Sequence, residues 1–412
     1  MNVGMSNNTK FPDVVIVGAG QAGGWVARTL AEGHYTGQIT LIGAESHAPY
    51  ERPPLSKSVL AGDELGPPYV LTEAHLAAAK VSFFSNTQVT AIDRDSSVVL
   101  CADGRSIPYD HLVLAIGGRP RVPPITGVDL PGVFFLRTLD DCRGLSERLS
   151  TAGRVAIIGG GWIGLEVAAT ATQRGVDVVV IEAGSRLCGR SVPESISEFL
   201  LRRHLAAGAQ VHLNSTVDAI EVTGPEEKLE IRTSFGPIVC DLVVIGVGQI
   251  PNVELAVAAG LSVDNGVIVD EFGRSSDSRI FAAGDVSNHP NLWGRQRLRL
   301  ESWANAQNQA IAVGRTLMGE AIAYDEIPWF WSDQYDINLQ VIGIPDASAE
   351  SITRGSIAHK SFTIFQLKEG RLVAALGINT PREVKLAKRW MKSGMTPAAS
   401  QLQDPTVRLD LL

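Results

Sequence analysis

Short apolar runs bounded by glycine-rich turns recur along this chain, and two of them open very similar segments. Residues 14–17 (VVIV) are followed by GAGQAG, and residues 155–158 (VAII) are followed by GGGWIG. An alanine-rich stretch comes after each turn. A buried parallel strand forms a continuous apolar run, and such a turn leads into a helix. The pattern predicts two βαβ units, over residues 13–43 and about 154–182.

Other segments show weaker but similar patterns. A proline-rich loop is predicted at 44–58, and the proline-rich residues 120–131 are predicted to form an inter-domain linker. Strands are predicted near 97–101, 111–116, 337–344, 361–367 and 371–377, and several more within 209–245. A strand ending in Gly284-Asp285 and running into a helix is predicted to return to the first unit, so that the second unit is inserted in the first. Helices are predicted at about 304–318 and 382–393, the second of them basic.

Length and charge narrow the class of protein. The chain has 412 residues, more than one hydrophobic core normally serves, so two or three domains are expected. Its net charge of −8 argues against nucleic acid as the main partner. Charges interrupt every long apolar run, and residues 1–10 lack the apolar core of an export signal. We therefore expect a cytoplasmic protein with no stable membrane insertion.

The cysteines and histidines do not form a known redox or metal motif. The four cysteines, at positions 101, 142, 188 and 240, contain no C-x-x-C pair. They are predicted to be ordinary buried thiols of a reducing compartment. The eight histidines show no metal-ligand spacing, and no metal site is predicted.

The two glycine turns are dinucleotide-binding fingerprints of the form G-x-G-x-x-G. The first glycine allows the tight turn, the second lets the backbone approach a pyrophosphate, and the third packs helix on strand. The helix N-terminus then faces the phosphates. Glu45 and Glu182 each follow the second strand of their unit, where a carboxylate accepts hydrogen bonds from ribose hydroxyls. Two complete fingerprints predict two bound dinucleotides and transfer of a hydride between them.

Longer motifs extend this pattern over nearly the whole chain. In this respect the chain resembles the FAD-dependent NADH:ferredoxin reductases of bacterial oxygenase systems. The segments that carry the resemblance are GAGQAG at 18–23, RPPLSK at 52–57, LVLAIGGR at 112–119, GGGWIGLE at 159–166, GQIPN at 248–252, AGD at 283–285 and PWFWSDQ at 328–334. The resemblance implies an α/β fold of the glutathione-reductase type, with two Rossmann-like domains and an α+β C-terminal domain. The implied boundaries are 1–118 with 250–326 for FAD, 119–249 for NAD and 327–412 for the C-terminal domain.

The resemblance also implies a set of residues for non-covalently bound FAD. They are Gly18, Gly20, Ala22, Gly23, Glu45, Arg52, Lys57, Val89, Arg137, Asp285, Trp303, Trp329 and Trp331. Some relatives carry the acidic residue one position earlier than Glu45. Lys57 is implied to lie near the isoalloxazine ring, with a solvated proline-rich loop as the alternative. Trp329 and Trp331 are implied to lie near the flavin, and core packing is the alternative for them.

For NADH the implied residues lie in the second unit. They are Gly159, Gly161, Ile163, Gly164, Glu166, Glu182 and Gly248. Glu166 either approaches the nicotinamide or is an ordinary charge on a helix surface. Glu182 is expected to favour NADH over NADPH, although Arg186 and Arg190 lie close enough in sequence to weaken that preference.

The implied reaction requires no acid, base or nucleophile. Electrons pass from NADH to FAD, and then singly to a [2Fe-2S] ferredoxin that feeds a dioxygenase or cytochrome P450. Residues 24–100 contain no cysteine, which excludes a flavin disulfide reductase. Two alternatives remain: a type II NADH:quinone reductase that touches a membrane through its basic helix, and an interaction flavoprotein resembling apoptosis-inducing factor.

An acidic protein that binds an acidic ferredoxin needs a local basic patch. Two candidates are present. One comprises Arg295, Arg297 and Arg299, and the other comprises Arg382, Lys385, Lys388, Arg389 and Lys392.

Overall fold

The structure of the protein is a computed structural model, and it describes residues 11–225 and 227–412. The first ten residues, for which no export signal is predicted, lie outside the described residues. The chain divides into two compact units. The first contains residues 11–51, Pro68–Gly118 and Pro251–Glu326, and the second contains Arg52–Pro67, Arg119–Ile250 and Ile327–Leu412. The predicted assignment of residues 52–67 to the first domain differs from this division. Hydrogen bonds explain the difference, since the Leu55 carbonyl accepts from Cys142 and that of Leu60 from Arg174.

Strands occur throughout both units. In chain order they are β1 Val14–Val17, β2 Ile39–Ile42, β3 Val81–Phe84, β4 Val89–Asp93, β5 Val98–Cys101, β6 Ser106–Pro108, β7 His111–Leu114, β8 Gly118–Pro120, β9 Val133–Phe134, β10 Arg154–Ile158, β11 Asp177–Ile181, β12 Gln210–His212, β13 Val217–Thr223, β14 Lys228–Thr233, β15 Gly236–Cys240, β16 Leu242–Ile245, β17 Gln249–Pro251, β18 Val267–Ile268, β19 Ile280–Ala282, β20 Ser287–Asn291, β21 Gln296–Leu298, β22 Trp329–Gln334, β23 Ile337–Gly343, β24 Glu350–Ser356, β25 Ser361–Lys368 and β26 Arg371–Ile378.

The helices lie between these strands and at the C-terminal end. The α-helices are α1 Gln21–Glu32, α2 Ser58–Ala61, α3 Glu73–Ala78, α4 Leu139–Leu149, α5 Trp162–Gln173, α6 Glu194–Ala206, α7 Glu254–Ala258, α8 Trp303–Leu317, α9 Pro381–Ser393 and α10 Ala399–Gln403. Short 3₁₀ helices occupy Pro53–Ser56, Gly284–Val286 and Leu409–Leu411.

The first unit is built on a parallel sheet with the strand order β19-β7-β1-β2-β3. Its strands are continuous apolar runs because both faces are covered, and Ile16, Leu41 and Val113 are fully buried beneath α1 and α8. The first βαβ unit is therefore confirmed. One local prediction is wrong, because Gly284-Asp285 does not run directly into the long helix. A 3₁₀ turn and the hairpin β20–β21 intervene before α8.

The second unit contains a second parallel sheet, with the order β12-β11-β10-β16-β9. This arrangement confirms the second βαβ unit. The C-terminal residues form an antiparallel sheet of order β22-β23-β26-β25-β24, against which α9 packs. The edge strand β24 is absent from the prediction because its residues (ESITRGS) are mostly polar and exposed.

The segment predicted as a proline-rich loop at 44–58 is partly helical. Pro53–Ser56 forms a 3₁₀ helix, and α2 follows at Ser58. Proline at the first position of a helical turn loses no hydrogen bond, and its fixed φ favours the turn, so this segment is more ordered than its composition suggests.

Candidate functional site

A glycine-lined turn joins β1 to α1 in the first unit. Gly18 has φ +106°, and a Cβ atom there would lie 2.3 Å from the Ala115 carbonyl oxygen. A Cβ at Gly23 would lie 1.8 Å from the carbonyl oxygen of Gly18. Gly20 is the N-cap of α1 and provides no side-chain hydrogen bond. The first N–H groups of α1 therefore have no side-chain cap, which is the arrangement that suits a pyrophosphate.

Glu45 follows β2, as predicted for a ribose-binding carboxylate. Its Oε2 atom accepts a hydrogen bond of 2.5 Å from the Tyr50 hydroxyl. Tyr50 is buried, so it holds the carboxylate in one orientation. The predicted contact with a ribose stays a prediction.

The Gly284-Asp285 turn approaches the first fingerprint. A Cβ at Gly284 would lie 2.8 Å from Cβ of Ala22, so the turn packs directly on the start of α1. Gln309 of α8 fixes the turn, because its Oε1 atom accepts from the Gly284 N–H at 2.9 Å and from the Ser287 hydroxyl at 2.7 Å. The structure thus brings half-buried Asp285 close to the fingerprint in the first unit. The sequence offered no signal for the part played by Gln309.

Trp303 is the first residue of α8, and Ser302 caps this helix by accepting from the Asn305 N–H at 3.1 Å. With the Gln21 side-chain amide assigned so that its oxygen faces the two indole N–H groups, it accepts from Trp25 and Trp303 at 3.1 and 2.9 Å. Gln21 lies inside the first fingerprint, so Trp303 is tied to it directly. Val89, another predicted flavin contact, is a buried residue at the start of β4.

The second unit repeats the glycine turn between β10 and α5. Gly159 has φ +108°, and a Cβ there would lie 2.5 Å from the Gly246 carbonyl oxygen. Gly164 packs on the same turn, since its Cβ would lie 2.2 Å from the Gly159 carbonyl oxygen. The N-cap of α5 is Gly161, again without a side-chain hydrogen bond. Ile163, in the first turn of α5, is 46% exposed, which suits an apolar contact with a ligand.

Glu182 lies beside this second turn and binds its backbone. Its carboxylate accepts from the N–H groups of Gly160 and Gly184, both at 2.6 Å. The Arg186 guanidinium donates to the carbonyls of Val192 and Gly189 and to the Ser197 hydroxyl. These neutral partners fix its position but do not cancel its charge, so its predicted effect on Glu182 stays a prediction.

Gly248 ends a turn near the second fingerprint. It has φ +104°, and its carbonyl accepts from the Arg121 N–H at 2.9 Å. A Cβ placed on Gly248 would lie 3.8 Å from a guanidinium nitrogen of Arg190. Arg190 therefore places a guanidinium group near this turn.

Lys57 and Glu166 form a largely buried ion pair in the second unit. The Lys57 Nζ atom lies 2.8 Å from Oε2 of Glu166. Ser56 donates to the same oxygen at 2.5 Å, and Ser332 donates to Oε1 at 2.7 Å. Glu166 is only 3% exposed, so its alternative interpretation as a charge on a helix surface is wrong. The solvated-loop alternative for Lys57 is also wrong, because its side chain is only 18% exposed and pairs with Glu166.

Two of the other predicted flavin residues, Arg52 and Arg137, contact each other within the second unit. Arg52 is the N-cap of the 3₁₀ helix that precedes Lys57, and its guanidinium donates to the Arg137 carbonyl at 2.6 Å. Sequence reasoning missed Ser56 and Ser332. Both belong to the motifs RPPLSK and PWFWSDQ, so the motifs were the available signal.

Trp329 and Trp331 project from the same face of β22 because alternate residues of a strand share a face. Their rings stack with centroids 5.2 Å apart and an interplanar angle of 21°. Both side chains are only half-buried, so core packing alone does not account for them. Phe330, on the opposite face, packs edge-on against Trp162 at 5.0 Å.

All four cysteines are buried and unpaired. Burial raises the pKa of the Cys142 thiol to about 11 and that of Cys240 to about 12. It also raises the pKa values of Cys101 and Cys188. Thiols of this kind react slowly, because the thiolate is the reactive form. Across residues 11–225 and 227–412, no group of three or more potential ligands could hold a metal ion.

The two predicted basic patches differ in their availability. Arg297 donates to the carbonyls of Val269 and Asn288, and Arg299 pairs with Glu301 at 2.5 Å and is 10% exposed at its side chain. Arg295 and Arg297 are nevertheless exposed, so a role of residues 295–299 in docking stays a prediction, with Glu301 neutralising Arg299. On α9, the side chains of Lys385, Arg389 and Lys392 are exposed.

The opposite face of α9 argues against the alternative of a quinone reductase that touches a membrane through this helix. Val384, Ala387, Trp390 and Met391 are buried, so the apolar face of this helix serves the fold. Within the described residues, no helix combines the length and the apolar character needed to cross a bilayer.

Comparison with known families identifies two matching regions. Residues 12–310 match the family described as pyridine nucleotide-disulphide oxidoreductase. Residues 329–412 match the domain described as Reductase C-terminal.

Several characterised proteins are similar over almost their whole length. The anthranilate 1,2-dioxygenase system ferredoxin--NAD(+) reductase component of Burkholderia cepacia is 41% identical, over 96% of this chain and 98% of that protein. Putidaredoxin reductase CamA of Pseudomonas putida is 38% identical, over 96% of each. The ferredoxin reductase for the CYP199A2 system from Rhodopseudomonas palustris has a structure that superposes with a TM-score of 0.93 and 38% identity, covering 97% of this chain and 99% of its own. These matches confirm the predicted fold class.

Proposed function

The chain belongs to the pyridine nucleotide-disulphide oxidoreductase family and carries the Reductase C-terminal domain, and from this we propose that it is an FAD-dependent NADH:ferredoxin reductase of an oxygenase system. One observation supports the proposal most directly. Two uncapped glycine-lined helix N-termini occur in a chain whose four cysteines are all buried and unpaired. Such a chain can hold two dinucleotides and has no thiol relay between them.

The names of the relatives support the same activity. The Burkholderia and Pseudomonas proteins are named as reductases of a ferredoxin and of putidaredoxin. A solved structure with a TM-score of 0.92 and 36% identity is a covalent putidaredoxin reductase–putidaredoxin complex. We therefore take a [2Fe-2S] ferredoxin as the partner, and a dioxygenase or cytochrome P450 as the oxygenase that it serves.

The first fingerprint would hold FAD non-covalently, with Glu45 on the ribose and Asp285 on the ribityl hydroxyls. The second would hold NADH, with Glu182 on the adenine ribose. When bound, FAD accepts two electrons from NADH and releases them one at a time. Glu182 would exclude the 2′-phosphate of NADPH by charge repulsion, because the Gly160 and Gly184 N–H groups hold its carboxylate at the turn.

Lys57 and Glu166 would act near the reacting rings without donating or removing a proton. Lys57 would stabilise negative charge on the reduced flavin through its ammonium group. Glu166 would hold that ammonium in place through the 2.8 Å contact. Pre-set charges of this kind need little rearrangement during the reaction, which is the usual source of electrostatic catalysis.

The proposal can be tested by NADH-dependent cytochrome c reduction. The purified protein would be assayed alone, with an all-cysteine [2Fe-2S] ferredoxin, with a Rieske-type ferredoxin and with a quinone in lipid vesicles. We expect FAD to be released on heating and cytochrome c reduction to require one of the ferredoxins. Efficient quinone reduction without ferredoxin activity would support the quinone reductase instead. FAD binding without turnover of NADH by any acceptor would indicate an interaction flavoprotein.

A further inference from the structure

A chain of buried hydrogen bonds leads away from Glu166 within the second unit. The Ser332 hydroxyl contacts Oε1 of Glu166 at 2.7 Å, and the Gln334 Nε2 atom contacts Ser332 Oγ at 3.0 Å. Oε1 of Gln334 then contacts Nε2 of His204 at 2.9 Å, and the other ring nitrogen of His204 contacts the Tyr335 hydroxyl at 3.0 Å. Ser332, Gln334 and His204 are each at most 2% exposed. These bonds join β22 to α5 and α6.

The Glu166 carboxylate determines which atom donates in each hydrogen bond of this series. A carboxylate paired with an ammonium group can only accept, so Ser332 must donate to Glu166. Ser332 Oγ then accepts from the amide NH₂ of Gln334, which leaves the Gln334 oxygen facing His204. His204 must therefore carry its proton on Nε2. Its Nδ1 atom is left as the acceptor for the Tyr335 hydroxyl.

Tyr335, the last residue in this series of hydrogen bonds, is held firmly in spite of backbone strain. Tyr335 has φ +56° in the two-residue turn between β22 and β23, a conformation that bulky residues rarely adopt. The Arg203 guanidinium lies 4.2 Å from the centre of the Tyr335 ring. Asp336 binds Arg203 at 2.8 Å and Lys360 at 2.6 Å. These contacts fix the tyrosine hydroxyl that faces His204.

We propose that Ser332, Gln334 and His204 are positioning residues that fix the Glu166 carboxylate and, through it, the Lys57 ammonium. The inference rests on the proposed function, in which these two charges lie near the reacting rings. Each of the three side chains donates toward Glu166, so together they hold one carboxylate oxygen while Ser56 and Lys57 hold the other. Without the Ser332 hydroxyl, Oε1 of Glu166 would lose the one hydrogen bond that it accepts from the described residues, and the carboxylate could rotate.

The protonation pattern is directly testable by NMR. In the FAD-loaded protein labelled with ¹⁵N-histidine, we expect His204 in a single Nε2–H tautomer, and assignment would come from the loss of its signals in His204→Gln. Ser332→Ala frees the Gln334 amide to turn over, so the His204 tautomers should become mixed. An Nδ1–H tautomer in the unsubstituted protein would overturn the proposal.

Positioning should also affect the rate of flavin reduction. The bleaching of flavin absorbance by NADH would be followed by stopped flow. For Ser332→Ala we expect the limiting rate at saturating NADH to fall about five- to tenfold, the kinetic equivalent of one lost hydrogen bond. The apparent Kd for NADH should change less than about twofold, because the hydroxyl makes no contact attributed to NADH binding. Tyr335→Phe keeps the ring beneath Arg203 and should lower the rate less.

A matched control separates positioning from general loss of packing. Thr363 is a buried residue of β25, three strands from β22 in the same sheet, and shares a hydrogen bond of 2.7 Å with Thr380, the N-cap of α9. Thr363→Val also removes one buried hydroxyl and should leave the limiting rate unchanged. If Ser332→Ala and Tyr335→Phe both reduce flavin at the rate of the unsubstituted protein, the positioning role is wrong. If NADH does not reduce the flavin of the unsubstituted protein, the proposed function is what fails.

Discussion

The Nζ atom of Lys57 lies 2.8 Å from a carboxylate oxygen of Glu166, although 109 positions of sequence separate the two residues. The pair links a proline-rich helical turn to the helix that follows the second glycine fingerprint. Both residues belong to motifs that the sequence singles out, but neither motif predicts that they meet. Their contact gives the two motifs one shared electrostatic centre.

Breaking this ion pair should destabilise the protein strongly. Lys57→Met leaves the buried Glu166 carboxylate without its cation, and the free energy of unfolding should fall by about 3 kcal/mol. This is the low end of the usual cost, because Ser56 and Ser332 still donate to the carboxylate. Glu166→Gln added to Lys57→Met should restore part of the loss in urea unfolding. Strictly additive effects would contradict direct coupling of the pair.

Glu182 should determine the choice between NADH and NADPH. The unsubstituted protein should prefer NADH in kcat/KM, and Glu182→Ala should narrow the gap, mainly by weakening NADH. Asp177→Ala, which removes an exposed acid from the start of the same strand β11, is the control and should leave the ratio unchanged. Arg190→Ala tests one of the two nearby arginines. Equal rates with both nucleotides before any substitution would remove the role assigned to Glu182.

The thiols should be chemically quiet and dispensable. At pH 8 the folded protein should react with a disulfide reagent far more slowly than the denatured protein, because burial raises the pKa values of Cys142 and Cys240. Replacement of all four cysteines by serine should preserve ferredoxin reduction per bound FAD, apart from losses of stability. A folded, FAD-loaded variant without turnover would indicate a thiol mechanism.

Electrostatic docking of the ferredoxin should involve the exposed side of α9. Reversal of two exposed charges one turn apart, Lys385→Glu with Arg389→Glu, should raise the KM for ferredoxin and leave that for NADH unchanged. Arg371→Glu, at an exposed residue of β26, is the control because it also reverses an exposed positive charge, but outside α9. Raising salt from about 0.05 to 0.5 M should slow ferredoxin reduction more than ferricyanide reduction. If the double reversal changes neither KM, α9 is only a solvated face.

His204 should make the protein less stable in mild acid. Burial lowers its pKa from 6.5 to about 4, so the unfolded chain takes up a proton at a higher pH than the folded protein does. Stability is therefore complete above about pH 6.5 and is lost as the pH falls toward 4. Between pH 7.5 and 4.5 the contribution of His204 to this loss should be about 2–3 kcal/mol. His204→Gln should flatten the pH dependence of urea unfolding by that amount, and parallel curves would contradict the burial effect.

The sequence predicted well those features that depend on local rules. The fingerprints at Gly18 and Gly159 require φ above +100° and the absence of a Cβ, and such requirements are visible in a single segment. Buried parallel strands such as β10 are equally visible, because both of their faces are apolar. The fold class follows from these two signals.

Features that depend on distant partners could not be predicted. The sequence left open whether Glu166 approaches the nicotinamide or lies on a helix surface. Its burial becomes understandable through Lys57, more than a hundred positions earlier, and through Ser332, which lies 166 positions further along the chain. Arg299 alternates with Arg297 like a residue of an exposed basic strand, yet its side chain is only 10% exposed and pairs with Glu301. A charged side chain in a sequence does not reveal whether its partner is water or another part of the protein.

The glycine N-caps of α1 and α5 link the stability of this protein to its ligands. Serine or aspartate in these positions would stabilise the helix ends by roughly a few tenths of a kcal/mol each, and the chain forgoes that stabilisation at both glycine turns. A ligand that binds only the folded state compensates by mass action, adding about 1.4 kcal/mol for each tenfold excess of its free concentration over Kd. The yield of folded protein in an expression host should then follow the supply of flavin, and a melting temperature will have meaning only together with the concentrations of both nucleotides.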